Sequence, residues 1–172
     1  MATMQKITSN LWFNNQAEEA VNYYTAIFKN SKIDRITRYS KAGQEVHGMA
    51  AGSIMTISFS LEGQSFVALN GGPHFKFTEA VSFIVNCENQ EEIDYYWNKL
   101  SAGGDEQAQQ CGWLKDKFGL SWQVVPTALI DMYKDAESEK AQRTMRAMLK
   151  MKKLDLAALQ AAYNGQVAEK TS

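Results

Sequence analysis

The chain has 172 residues, enough for one domain or for two small modules that share a core. Hydrophobic residues make up 45% and charged residues 22%, and the formal net charge of −1 offers no global field to attract nucleic acid or an anionic membrane. No apolar run reaches the roughly 20 residues of a membrane span, Met1 to Asn10 lacks the apolar stretch of a secretory leader, and two cysteines are too few for a disulfide framework, so a cytoplasmic location is expected.

In chain order, Leu11-Trp12-Phe13-Asn14 reads as a short strand, followed by a polar turn and an amphipathic helix through Glu18-Glu19-Ala20-Val21-Asn22-Tyr23-Tyr24. Three segments of strand character follow, at 33–39, 53–61 and 65–70, the last two joined by a hairpin turn at Glu62-Gly63-Gln64. Gly71-Gly72-Pro73 then interrupts the pattern more strongly than any other segment. Beyond it the strand–helix word returns as Phe83-Ile84-Val85-Asn86 and Glu91-Glu92-Ile93-Asp94-Tyr95-Tyr96. Asn14 and Asn86, Glu19 and Glu91, Tyr23 and Tyr95, and Tyr24 and Tyr96 are identical pairs, each 72 residues apart without a gap. Behind the second helix come weak strand sequence at 107–110, then 112–115 and 120–125, with Asp116-Lys117-Phe118-Gly119 as the second hairpin.

Each copy therefore reads βαβββ, and two copies indicate a paired-module α+β protein rather than a solenoid. Pro126 closes the last strand, and residues 135–162 read as two helices, with Ser138 as a cap, Asp155 at the start of the second and Gly165 as its stop. The expected divisions are 1–71 and 72–128 for the modules, 129–165 for a helical extension packing on the domain or a dimer partner, and 166–172 for a frayed tail.

This layout resembles the vicinal-oxygen-chelate (glyoxalase/bleomycin-resistance) superfamily, and particular words resemble its PhnB-like branch. They are Ala17-Glu18-Glu19-Ala20-Val21-Asn22-Tyr23-Tyr24 in the first helix, Asn70-Gly71-Gly72-Pro73-His74-Phe75-Lys76-Phe77 in the linker, Cys111-Gly112-Trp113-Leu114-Lys115-Asp116-Lys117-Phe118-Gly119 with Ser121-Trp122-Gln123 in the final hairpin, and Lys150-Met151-Lys152-Lys153-Leu154-Asp155-Leu156-Ala157-Ala158-Leu159 in the tail. Some members of the branch bear a demethylubiquinone methyltransferase label. The resemblance implies a homodimer, sometimes with exchanged modules, to which Met145, Met148 and Met151 could contribute.

The resemblance also implies a divalent metal held inside each curved sheet, with His or Gln on the first strand and Glu on the last. Strand alternation packs Ile7, Leu11 and Phe13 under the first helix and Val81, Phe83 and Val85 under the second. The ligand positions then fall at Thr8, Ala80, Gln123 and near Ala68, a set that cannot bind a divalent ion tightly, so neither a metal nor another cofactor is expected. The same alternation gives a candidate ligand cavity of Thr8, Asn10, Trp12, Asn70, Ser82, Trp113 and Gln123, which suits a neutral or weakly polar small molecule.

Other constellations have plainer explanations. Cys111 with His74 is the best nucleophile pair, but Cys87 and Cys111 read as small buried hydrophobes, and His47 and His74 lie in loops. Glu18-Glu19 and Glu91-Glu92 occupy the first turns of helices, where the dipole favours negative charge. Arg143, Arg146, Lys150 and Lys153 form one face of an amphipathic helix, and a solvated face is the reading rather than a nucleic-acid surface. Neither Gly71-Gly72 nor Gly103-Gly104 has phosphate-loop or dinucleotide-fold context. Three functions fit: metal-independent binding of a small organic ligand, an atypical superfamily enzyme of lyase, transferase or dioxygenase type, and a scaffold without ligand.

Overall fold

A computed structural model describes residues 5–166, which divide into two compact units between Phe77 and Thr78. Apart from Gln166, the tail expected to fray lies outside the described residues.

The first unit comprises β1 (Ser9–Phe13), α1 (Ala17–Ile27), β2 (Lys32–Arg38), a short α2 (Gln44–His47), β3 (Ile54–Leu61) and β4 (Gln64–Asn70). Its four-stranded sheet has the order β1-β4-β3-β2, with β1 parallel to β4 and the other neighbours antiparallel. Alternation sends Leu11, Phe13, Ile57, Phe59, Phe66 and Ala68 to the face under α1, and all six are buried. The helix answers with Ala17, Ala20, Val21, Tyr24 and Ile27 at helical spacing. Each large side chain buried here contributes about 1.5–3 kcal/mol. The β3–β4 hairpin turns through Glu62 and Gly63 with φ of 47° and 80°, the left-handed pair that a tight two-residue turn requires.

The linker folds back on the first unit. The Trp12 indole N–H donates to the Gly72 carbonyl at 2.9 Å, Phe75 meets the Trp12 ring edge-on, and Phe77 does the same to Phe13. A Cβ on Gly71 would lie 2.3 Å from the Trp12 ring, so only glycine allows this approach.

The second unit repeats the plan with β5 (Ser82–Cys87), α3 (Gln90–Ser101), β6 (Trp113–Lys115) and β7 (Ser121–Pro126). Its sheet has the order β5-β7-β6, with β5 parallel to β7. Ile93, Trp97 and Leu100 of α3 are buried, as are Val85, Leu114, Trp122 and Val124 on the strand faces turned the same way. The strand expected at 107–110 is instead a 3-10 turn at Glu106–Ala108, and only one bridge, Gln110 to Trp113, remains of it. The Asp105 side chain accepts from Gln107 N–H, which favours a turn over an extended ladder.

Three helices close the chain where two were expected: α4 (Ala128–Met132), α5 (Glu139–Met148) and α6 (Leu156–Asn164). Ser138 caps α5 by accepting from Ala141 N–H, Asp155 caps α6 by accepting from Ala158 N–H, and Gly165 ends α6 at φ 75°. Leu129, Met132, Leu154 and Leu159 form their own core, flanked by Met148, Met151, Tyr133 and Tyr163. The basic face expected on one helix is not continuous, because α5 ends at Met148 and leaves Lys150 and Lys153 beyond it, and two of its members are spent on structure. Arg143 donates to the Ala162 and Tyr163 carbonyls at the end of α6, and Lys153 pairs with Asp94 of α3 at 2.6 Å.

Candidate functional site

Each sheet keeps one face under its own helix and presents the other, so each unit has its own candidate face, opposite α1 in the first and opposite α3 in the second. In the first unit, register places Asn10 and Trp12 of β1 beside Val67 and Leu69 of β4, and these beside Ser58 and Thr56 of β3. Thr56 and Thr37 share a hydroxyl contact of 2.5 Å across β3 and β2. Trp12 is half-buried, with its one donor already given to Gly72.

Asn70 is not on this face. It pairs with Phe13, on the helix side, where its Oδ1 accepts from Ala17 N–H at 2.9 Å and its Nδ2 donates to the Ile54 carbonyl. It caps α1, whose own N-cap residue Gln16 makes no side-chain cap. Ala68 also faces the helix, pairing with Leu11 at no exposure, so the β4 position matching Gln123 is Leu69. Thr8 and Ala80 are exposed and lie outside the strands, as do Ile7 and Val81, expected under the helices but 85% and 65% exposed. The first open-face strand positions are therefore Asn10 and Ser82.

In the second unit the corresponding face carries Ser82, Ile84 and Asn86 of β5, Ser121, Gln123 and Val125 of β7, and Lys115 and Trp113 of β6. Gln123 Nε2 donates to Ser82 Oγ at 2.9 Å. Ile84 is 56% exposed beside them, and Trp113 is half-buried opposite Gln123. Lys115 reaches out of the sheet to Glu79 at 2.5 Å, and that hydrogen bond holds the Glu79 carboxyl below its ordinary value. Trp122 faces the other way and donates from its indole to the buried Asp116, which also accepts from Phe118 and Leu120 N–H.

These faces offer amides, hydroxyls and hydrocarbon at the strand positions where a metal site would need imidazole and carboxylate. Among the described residues, no three His, Cys, Asp or Glu side chains come together as a metal site. The donor set does not fit a tightly held divalent cation.

The expected nucleophile candidates lie in structural settings. Burial, with the Glu92 charge as a smaller cause, pushes the Cys87 thiol up to about 12. Cys111 sits at φ 53° where the tail docks, its Sγ 3.5 Å from the Met148 carbonyl. His74 is exposed in the linker turn, whereas His47, expected in a loop, is the last residue of α2; it accepts from Met49 N–H, and its ring lies tilted against Tyr39 at 4.6 Å. Sequence reasoning missed Lys115, Ser121 and Glu79. The register of the β6–β7 hairpin, set by Asp116 to Gly119, could have revealed the first two.

A family model described as 3-demethylubiquinone-9 3-methyltransferase matches residues 5–125, about seven-tenths of the chain. The chain belongs to this PhnB-like family. Its paired modules are of the glyoxalase, vicinal-oxygen-chelate type. A PhnB protein from Bacillus cereus bearing the same methyltransferase label is 38% identical; the match covers 72% of this chain and 100% of that one at a TM-score of 0.62. Protein PA1353 from Pseudomonas aeruginosa shares the fold at 18% identity and TM-score 0.55, over 72% of this chain and 98% of its own. The fosfomycin resistance protein FosX from Listeria monocytogenes is a more distant structural match, 13% identical with a TM-score of 0.45, over 72% and 93% of the two chains. Curated proteins provide no match. The family match ends at residue 125, before α4, α5 and α6.

Proposed function

We propose that this PhnB-like protein binds a small organic molecule on the open sheet faces without a resident metal ion. One observation carries the reading: the Gln123–Ser82 hydrogen bond stands on a face flanked by exposed Ile84 and half-buried Trp113. A few directional polar groups framed by apolar surface suit a small ligand. Asn10, Leu69 and Val67 offer a plainer counterpart in the first unit. The methyltransferase label of the family brings no methyl-donor motif to the residues of this chain, and the label alone does not fix an activity.

The same reading pairs the chain with itself. Among the described residues β2 ends its sheet with an edge that no further strand pairs, and proteins commonly cover such an edge. Among the described residues no helix is long and apolar enough to cross a membrane, and the two free thiols suit a reducing cytoplasm.

The test is ligand-observed NMR on metal-stripped protein with a chemically broad fragment set. Saturable binding that weakens at least several-fold in Gln123→Ala supports the proposal. Turnover of a bound compound would move the assignment to an enzyme, and failure of every fragment to bind would move it to a scaffold.

A further inference from the structure

Among the described residues of the second unit, one buried hydroxyl stands without a hydrogen-bond partner. Ser121 is 1% exposed, and its buried Oγ has no hydrogen-bond partner among the described residues. Buried polar groups are nearly always satisfied, so an orphan of this kind on a candidate binding face calls for an explanation. The sheet register shows what surrounds it. Ser121 lies between Ser82 on β5 and Lys115 on β6, all three pointing from the face opposite α3.

The neighbours share a chemical sense. Ser82 Oγ accepts from Gln123, which leaves the serine's own hydrogen available to donate. Lys115 is a cation on the same row, and its ammonium rests on the Glu79 carboxylate at 2.5 Å. Glu79 is 61% exposed in the turn before β5, so the pair is solvated on one side and inexpensive to separate. The row thus offers one ammonium and two hydroxyl donors, with an internal carboxylate seated on the ammonium. The next row along the face is Ile84, Gln123 and Trp113, mostly apolar.

We infer that Ser82, Ser121 and Lys115 take the carboxylate of a small organic monoanion, with Glu79 occupying Lys115 when no ligand is bound. The ligand's apolar or aromatic body lies along Ile84 and Trp113. This rests on the proposed ligand-binding role of the face and names the ligand's class. A single cation matches a single negative charge, and a carboxylate is the group Lys115 already holds. A cationic ligand would be repelled by Lys115. A neutral ligand would leave Glu79 in place and the lysine unused.

The experiment titrates isotope-labelled full-length protein with benzoate and, separately, with benzamide, its neutral counterpart. Benzoate is expected to bind saturably, shifting the amides of Ser82 and Ser121, the Gln123 side-chain amide and the Trp113 indole. Benzamide should bind about ten-fold more weakly, the effect of losing one charge-assisted hydrogen bond. Glu79→Gln should tighten benzoate and leave benzamide unchanged, because it frees Lys115 without touching the apolar row. Lys115→Met should erase the preference for benzoate, and if that variant does not fold, Glu79→Gln decides alone. Equal binding of the two probes, or a Glu79→Gln variant that binds benzoate no better, would overturn the anion assignment and leave the proposed ligand-binding face standing. Binding of neither probe would likewise overturn the anion assignment, while the ligand-binding face itself stands or falls with the broad fragment set.

Discussion

The two units open with the same words, yet they complete themselves by different means. In the first, β2 forms the outer edge of a four-stranded sheet, and α1 is capped from a distance by Asn70 of β4. In the second, that edge strand is absent among the described residues, and α3 is capped locally. Asn89 accepts from Glu92 N–H at 3.0 Å, and the Glu92 carboxylate accepts from Glu88 N–H at 2.7 Å. The segment after α5 supplies support beside β6. Cys111 and Gly112 N–H donate to the Met151 and Lys152 carbonyls, and Gln90 of α3 bonds Leu154 O and Leu156 N–H. A repeated strand–helix unit needs its sheet edge and its helix end secured, and a neighbouring segment can do this as well as a strand of its own.

Replacing Leu154, which is fully buried where the tail meets Gly112, should have the largest effect. Leu154→Ala is expected to cost about 2–5 kcal/mol in urea unfolding. Hydrogen exchange should show protection lost first at Cys111 and Gly112, with β3 and β4 amides less affected. Equal loss in both units would mean the tail does not act through the second sheet.

The two caps give a smaller and sharper contrast. Asn70→Ala removes a buried acceptor and a donor at once and should cost about 2–3 kcal/mol. Asn89→Ala, in an exposed local cap, should cost about 1 kcal/mol. If Asn89→Ala proves the costlier change, the distinction between distant and local capping fails.

The smallest effect concerns the thiols. At about pH 8 an alkylating reagent should modify the half-buried Cys111 well before Cys87, whose thiol stays protonated in the folded chain. The folded value of Cys87 is raised, so its contribution is complete below the unfolded thiol value of about 9 and is lost as pH climbs towards about 12. Melts of wild type and Cys87→Ala between pH 8 and 10 should therefore converge as pH rises. Divergence would assign the shift to another group.

Much of this plan was legible in the residues. The ungapped correspondence of Asn14 with Asn86 and Tyr23 with Tyr95 located β1, α1, β5 and α3. Alternation within those strands separated Leu11 and Phe13 from Asn10 and Trp12. Legibility ended where the copies diverge. With its equivalent of β2 reduced to a turn, the second module no longer keeps the spacing of the first, and the phase assigned to β4 slipped by one residue. A slip of one residue sends every side chain to the opposite face, which is why Ala68 and Asn70 were placed on the ligand side. Ile7 and Val81 misled for another reason: they are apolar residues just outside strand ends, where pairing no longer dictates facing. Ser121 and Lys115 carry no motif, and only the cross-strand register brings them together.

The most direct test of a metal-independent binding face is the metal content of the purified protein, with thermal melts after chelation and after adding Ni²⁺, Mn²⁺, Zn²⁺ or Fe²⁺. An ion bound to the native state must raise the melting temperature by mass action. The donor chemistry of Asn10, Leu69, Ser82 and Gln123 predicts no stoichiometric metal and an unchanged melting temperature in every arm. A stoichiometric ion whose removal lowers the melting temperature would contradict the account and make these faces a metal centre.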